Sequence, residues 1–105
     1  MQNWRRYEIL LPRRFNDGRP VPKALLAGTL PELEGQFGSI SCETQVIHGR
    51  WRGEANAFRD DLMRVYVDVE PTPEVQAFFA NFKERLKSRF QQLDIWLTSH
   101  SIDIL

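Results

Sequence analysis

Within the predicted strand Leu62–Val69, residues 63–69 alternate strictly between apolar and polar side chains, and this pattern constrains the fold more than any other feature of the chain. The apolar positions are Met63, Val65, Val67 and Val69, and between them lie Arg64, Tyr66 and Asp68. Successive side chains of a strand point to opposite faces, so one face of this strand is buried and the other is not. The pattern therefore predicts a sheet that is covered on one side only.

Three more segments are predicted strands, namely Trp4–Leu11, Ile40–Arg52 and Leu93–Thr98. In the first and last of these segments, the side chains that we expect to point inward are Tyr7, Ile9, Leu11, Leu93, Ile95 and Leu97. The stretch Gly53-Glu54-Ala55-Asn56 is typical of a hairpin connection. The tail, Ser101–Leu105, fits a short fifth extended piece.

Two helices are predicted between these strands. The second starts at Thr72, a preferred N-cap residue that is followed by Pro73, and its apolar face comprises Val75, Phe78, Phe79, Phe82, Leu86 and Phe90. The first begins near Pro22 and ends at Gly38, with a stripe formed by Leu26, Leu30, Leu33 and Phe37. Pro31 is expected to kink this first helix or to split it into two short pieces.

The element order strand, helix, strand, strand, helix, strand predicts an α+β fold. Two right-handed crossovers with a hairpin between them give the ferredoxin-like βαββαβ sandwich, a four-stranded antiparallel sheet with two helices on one face. An alternative is a mixed sheet whose tail adds an edge strand. In either case residues 1–105 form a single domain, since the chain has no repeat, low-complexity tract or linker.

Composition excludes several classes of function. The chain is neutral, with 14 Lys plus Arg against 14 Asp plus Glu, which disfavours binding to nucleic acid or to an anionic membrane. A single cysteine, Cys42, excludes an internal disulfide, and the two histidines, His48 and His100, match no metal-site spacing. We therefore expect no cofactor and no metal. No apolar run is long enough to span a membrane, and the N-terminus lacks the pattern of a signal peptide, so we expect a cytoplasmic protein.

The uncovered sheet face carries the main candidate site. With the first and third strands at the centre, the ligand or interface candidates there are Arg6, Glu8, Arg64, Tyr66, Asp68 and Trp96. Trp51, between two arginines near the hairpin end, is a further candidate. A surface of aromatic and charged groups suits a dimer interface, a protein partner or a planar ligand. RNA binding is disfavoured, because the aromatic–glycine motif of RNA-binding domains with this topology is absent.

A second candidate is the loop that follows the first strand. Arg13, Arg14 and Arg19 cluster there and are candidates for binding an anion at a strand–helix junction. The glycine spacing of a phosphate-binding loop is absent. The simpler interpretation is a solvated turn whose geometry is set by Asn16-Asp17-Gly18.

No catalytic set is recognisable. Glu8 and Tyr66 on adjacent strands are ordinary cross-strand neighbours more often than an acid–base pair. Cys42 and His48 would lie roughly 20 Å apart along one strand, too far for proton transfer, and Cys42 is interpreted as a structural residue.

Several segments of the chain, taken together, resemble a known group of proteins. They are Arg6-Tyr7-Glu8-Ile9-Leu10-Leu11-Pro12, Phe15-Asn16-Asp17-Gly18, Ser41-Cys42-Glu43-Thr44-Gln45, Gly49-Arg50-Trp51-Arg52 and Lys83-Glu84-Arg85-Leu86-Lys87-Ser88-Arg89-Phe90. The chain resembles, over nearly its whole length, a family of short bacterial proteins of unknown function that is well represented in cyanobacteria. The resemblance brings no catalytic residues. The fold also resembles the dimeric α+β barrels, in which two open sheet faces enclose a pocket.

These observations predict a non-catalytic interaction module that forms a homodimer or binds a protein partner through its open sheet face. The alternative is a small ligand-binding protein or enzyme of the dimeric α+β barrel type, with a pocket between the sheet face and the basic loop. For that alternative we expect a cavity lined by Trp51, Tyr66, Trp96 and one or more arginines of the loop.

Overall fold

The computed structural model describes residues 2–43, 45–52 and 57–105, and of residues 2, 51–52 and 57–60 the backbone only. The described residues form five strands and two helices. In chain order these are β1 (Gln2–Pro12), α1 (Lys23–Phe37), β2 (Ser41–Cys42), β3 (Ile47–Arg52), β4 (Ala57–Val69), α2 (Pro73–Arg89) and β5 (Trp96–Ile104). The predicted hairpin connection at 53–56 lies outside the described residues.

Strands β1 and β4 lie at the centre of one antiparallel sheet, as predicted. β1 pairs with β4 from Arg5 opposite Val69 to Pro12 opposite Leu62. On its other side β1 pairs with β5, which forms one edge. The outer side of β4 pairs with β2 at one end and with β3 at the other. This is the strand order of the split βαβ arrangement.

The sheet has five strands rather than the predicted four, because the segment Ile40–Arg52 is interrupted. Cys42 pairs with Val65 and Ile47 pairs with Leu62, so an advance of five residues from β2 to β3 corresponds to an advance of only three along β4. The segment that carries β2 and β3 is therefore longer than its partner by two residues, and regular pairing stops between these two strands. Since the excess is an even number, Ser41 and Ile47 still fall on the same side of the sheet.

Both helices pack on one side of the sheet, which confirms the central prediction. The fully or nearly buried side chains from the sheet are Tyr7, Ile9, Leu11, Val65, Val67 and, just before β5, Ile95. From α2 they meet Phe79, Phe82 and Leu86, and from α1 Leu33. The Tyr7 and Phe79 rings stack with centroids 4.1 Å apart, and Phe37 of α1 lies against Phe79 at 5.3 Å. The opposite side of the sheet is left without helices.

Helix α1 is continuous through Pro31, so the expected split is wrong. Pro31 is exposed, and the carbonyl of exposed Ala27, four residues earlier, is the group that loses its helical donor. Water can satisfy such a carbonyl, which lowers the cost of the interruption. The helix ends as predicted at Gly38, whose φ of 83° is the left-handed conformation that glycine adopts without strain.

A buried polar contact joins the two helices. Thr29 is fully buried, and its hydroxyl donates to the Leu25 carbonyl at 2.8 Å while accepting from Arg89 Nη1 at 3.0 Å. Glu32 accepts from both Arg89 and Arg85, at 2.8 and 2.7 Å. These contacts hold α1 alongside α2 above the sheet.

The last strand differs most from its prediction. It begins at Trp96 and continues through the tail to Ile104, so the predicted short fifth piece is the end of this strand. Leu93, predicted to point inward, is 82% exposed. The reason is local: α2 ends at Arg89 with the buried Phe90 as its C-cap, Gln91 takes a positive φ of 54°, and the chain makes a turn before it reaches the sheet.

The N-cap of α2 provides a first testable prediction. The Thr72 hydroxyl accepts from the backbone N–H of Val75 at 3.1 Å and satisfies one of the unpaired donors of the first turn. Thr72→Ala should therefore lower the free energy of unfolding by about 1 kcal/mol. Urea denaturation followed by circular dichroism measures this loss, and Thr72→Ser, which keeps the hydroxyl, is the matched control. An alanine variant as stable as the serine variant would contradict the capping role.

Candidate functional site

The open side of the sheet presents a row of paired charges across β1 and β4. Arg6 lies opposite Asp68 and donates to both of its carboxylate oxygens, at 2.8 and 3.0 Å. The same guanidinium lies over the Tyr66 ring, 4.3 Å from its centroid. The hydrogen bond from Arg6 to Asp68 raises the pKa of Arg6 above its ordinary value, so this cation stays charged throughout the accessible pH range. Both side chains are half-buried, and their charges are paired with each other rather than free to bind a ligand.

A second pair lies towards the edge formed by β2. Arg64 Nη1 donates to Glu43 Oε1 at 3.0 Å, and the backbone N–H of Glu43 donates to the Arg64 carbonyl at the same distance. Arg64 Nε is buried and has no hydrogen-bond partner among the described residues. Both described arginines of this group, Arg6 and Arg64, are therefore paired with carboxylates, one on β4 and the other just after β2.

The remaining members of the candidate set lie across β1 and β5. Glu8 is half-buried, between Tyr66 on one side and Thr98 on the other in the strand register. Trp96 lies opposite Leu10 and is 65% exposed. The structure thus places Arg6, Glu8, Arg64, Tyr66, Asp68 and Trp96 on one face. Trp51 pairs with Phe58 in the register of β3 and β4, and its side chain lies outside the described part of the structure.

The arginines of the loop after β1 have local partners. Arg14 Nη1 donates to the Gly18 carbonyl at 3.1 Å, and its Nε lies 3.5 Å from Asp61. Arg19 pairs with Asp17 and lies over the Phe15 ring. Backbone and side-chain hydrogen bonds from Arg19 lower the pKa of Asp17 below its usual value. This geometry is that of a locally braced turn, and it supports the simpler of the two predicted interpretations.

A cavity of ≈ 470 Å³ opens at the end of the sheet where the β3–β4 pair extends past β1. Its lining residues are Leu10, Pro12, Asn16, Gly49, Arg50, Leu62, Gln92, Leu93, Asp94, Ile95 and Trp96. Trp96 was expected in a cavity of this kind, whereas Tyr66 and the three loop arginines are not among the described lining residues. The described polar lining residues include Arg50 and Asn16 instead of those arginines.

The described histidines and cysteine do not form a reactive group. His48 Nδ1 lies 2.9 Å from Asp61 Oδ1, on the adjacent strand, and His100 is exposed on β5. Cys42 is an exposed free thiol on the short strand β2. Among residues 3–43, 45–50 and 61–105, whose side chains the structure describes, no group of three or more His, Cys, Asp or Glu is placed to hold a metal ion. In the same part of the chain, neither helix is long and apolar enough to cross a membrane.

Comparisons with known proteins give a likeness in structure. No protein-family model matches the sequence. No curated protein matches it either. Among solved structures, the solution NMR structure of a de novo designed protein with a ferredoxin fold aligns with a TM-score of 0.39 at 11% identity, covering 100% of this chain and 88% of that one. The resemblance to the family of short bacterial proteins stays a prediction.

Proposed function

We propose that this protein is a non-catalytic interaction module that self-associates through its open sheet face. The observation that carries the proposal is Trp96, which is 65% exposed on a face whose arginines are already paired with carboxylates of the same face. An exposed indole beside neutralised charges is typical of a surface that becomes buried against protein. Aromatic residues dominate the energetics of such contacts, whereas unpaired charges at their centre oppose burial.

The charge pattern favours a second copy of the chain as the occupant. In a twofold interface the same patch faces itself, so a patch of one sign would repel its copy. Here each sign is present and internally paired, through Arg6 with Asp68 and Arg64 with Glu43. The chain as a whole has a formal net charge of +0, so long-range repulsion between copies is also absent.

The size of the face is compatible with a weak or moderate dimer. Strands β4, β1 and β5 together with β2 give a width of ~19 Å, and the eight paired positions along β1 and β4 give a length of ~27 Å. That is a footprint of roughly 500 Å² per copy, or about 1,000 Å² for two, near the lower bound for a specific interface. We therefore expect association in the micromolar range rather than an obligate dimer.

Sedimentation of the wild-type chain and of Thr98→Arg tests this proposal. Thr98 is half-buried on the open face opposite Glu8, so an arginine there adds bulk and charge to the contact surface while Glu8 can still accept from it. We expect the dissociation constant of the dimer to rise about tenfold or more. Ser101→Arg, on the same strand but on the opposite side of the sheet, is the matched control and should leave association unchanged.

Two results would overturn the proposal. A wild-type chain that sediments as a monomer into the millimolar range has no self-association to explain. A dimer that Thr98→Arg leaves intact and Ser101→Arg weakens does not use the open face, and its contact then lies at the β5 edge or on the helical side.

A further inference from the structure

The cavity at the end of the sheet is built from segments that are distant in sequence. Leu10 and Pro12 come from β1, Leu62 from β4, Gly49 and Arg50 from β3, and 92–96 from the turn that leads into β5. Its volume of ≈ 470 Å³ lies in the range of sites that hold small molecules. The position is distinct from the row of paired charges at the centre of the open face.

The walls of the cavity are mainly apolar. They are formed by Leu10, Pro12, Leu62, Leu93, Ile95 and Trp96. Pro12 and Ile95 are buried, whereas Trp96 and Leu93 remain exposed around the opening. An indole next to aliphatic side chains provides a surface on which a flat apolar group can stack.

The polar groups of the lining differ in whether they already have partners. Asp94 Oδ1 lies 3.1 Å from Lys83 Nζ and accepts from the backbone N–H of Ile95 at 2.9 Å. The hydrogen bond from Lys83 lowers the pKa of Asp94 below its usual value, so this carboxylate is ionised and neutralised by a cation outside the cavity. Gln92 Nε2 donates to the Phe90 carbonyl at 3.1 Å. Arg50 and Asn16 make no side-chain hydrogen bond or ion pair with another described residue.

We propose that this cavity binds a small aromatic carboxylate, with the ring against Trp96 and the carboxylate on the Arg50 guanidinium. The planar guanidinium offers two parallel donors to a carboxylate, and this geometry is stronger and more specific than contact with an amine. Asn16 supplies an additional amide at the same rim. A polyphosphate is a poor match, because Arg50 is the one basic residue among the described residues that line the cavity and the walls are mainly apolar. This proposal does not require self-association, but it uses the Trp96 ring that the proposed dimer would bury, so ligand binding and self-association would compete.

Titration with 2-naphthoate, followed by two-dimensional ¹H–¹⁵N NMR of the full chain, tests the proposal. The three tryptophans give three indole N–H signals, and Trp96→Phe identifies that of Trp96. We expect 2-naphthoate to shift this signal and the backbone amides of Gly49 and Arg50. Arg50→Gln should weaken binding about tenfold or more, since a charge-assisted bidentate contact is lost.

Matched ligands and variants make the outcome decisive. The uncharged 2-naphthylmethanol should bind the wild-type chain and Arg50→Gln with similar, weaker affinity. Arg14→Gln, which removes an arginine that is not among the described lining residues, should leave 2-naphthoate binding unchanged. Equal binding of 2-naphthoate to Arg50→Gln and to the wild type would overturn the carboxylate site. An absence of shifts at Trp96 and Gly49 in the millimolar range would overturn the cavity as a ligand site.

Discussion

Phe82→Ala will lower the free energy of unfolding by about 3–5 kcal/mol, a large part of the stability of a domain of this size. Phe82 is 0% exposed and lies at the centre of the contact between α2 and the sheet. Its ring stacks near that of Phe78, and the Arg85 guanidinium lies 5.1 Å from its centroid on the outer side. Truncation removes these contacts and leaves a cavity that the rigid sheet below cannot fill.

Urea denaturation measures this loss as a lower midpoint with an unchanged slope. Leu93→Ala is the control, because Leu93 is also a large apolar residue but is 82% exposed. Its truncation should change the free energy of unfolding by less than about 0.5 kcal/mol. A loss at Leu93 as large as that at Phe82 would mean that the turn after α2 is packed in solution and that the assignment of the core is wrong.

The one-sided character of the sheet was predictable because strand periodicity is a local property. The alternation from Met63 to Val69 assigns each side chain to a face, whatever the partner strands are. The same holds for Tyr7, Ile9 and Leu11 in β1, all of which are buried. Helix α2 was equally predictable, because Thr72 and Pro73 mark its start and its apolar face repeats at helical spacing.

The predictions that failed concern features that depend on contacts beyond the local segment. The break between Cys42 and Ile47 follows from a two-residue excess relative to β4, which no property of that segment alone reveals. In the same way, Leu93 continues an alternating pattern into Ile95, yet the turn after α2 displaces it from the sheet. Of the two effects expected of Pro31, the split of the helix does not occur, because the cost of an interior proline depends on whether the carbonyl that it leaves unpaired faces water.

The candidate site was predictable in part for the same reason. Once β1 and β4 are placed side by side, Arg6 and Asp68 must be near neighbours, and the structure pairs them at 2.8 Å. The cavity could not be predicted in detail, since its walls come from five separate segments. Arg50, the proposed ligand contact, could not be identified from the sequence, because an arginine between a glycine and a tryptophan is not a recognised ligand-binding motif.

Val65→Asn provides the most direct test of the arrangement on which the open face depends. Val65 is 0% exposed on β4, beneath the helices, and an asparagine there loses the burial of the valine and places an amide among apolar side chains. Each of these effects costs roughly 1–3 kcal/mol, so we expect a combined loss of about 3–5 kcal/mol in the free energy of unfolding. Chemical denaturation measures it, with thermal unfolding as a second probe.

The same substitution one residue later should be tolerated. Tyr66 is half-buried on the side without helices, so in Tyr66→Asn the amide remains in contact with water and the specific contact that is lost is that with the Arg6 guanidinium. Such a contact contributes about 1 kcal/mol at a partly exposed position. Because the two residues are adjacent on one strand, backbone propensity and distance from the strand ends are nearly the same, and the difference isolates the side of the sheet. Equal losses at the two positions would mean that both sides of β4 are covered within a single copy, which would remove the surface on which self-association depends.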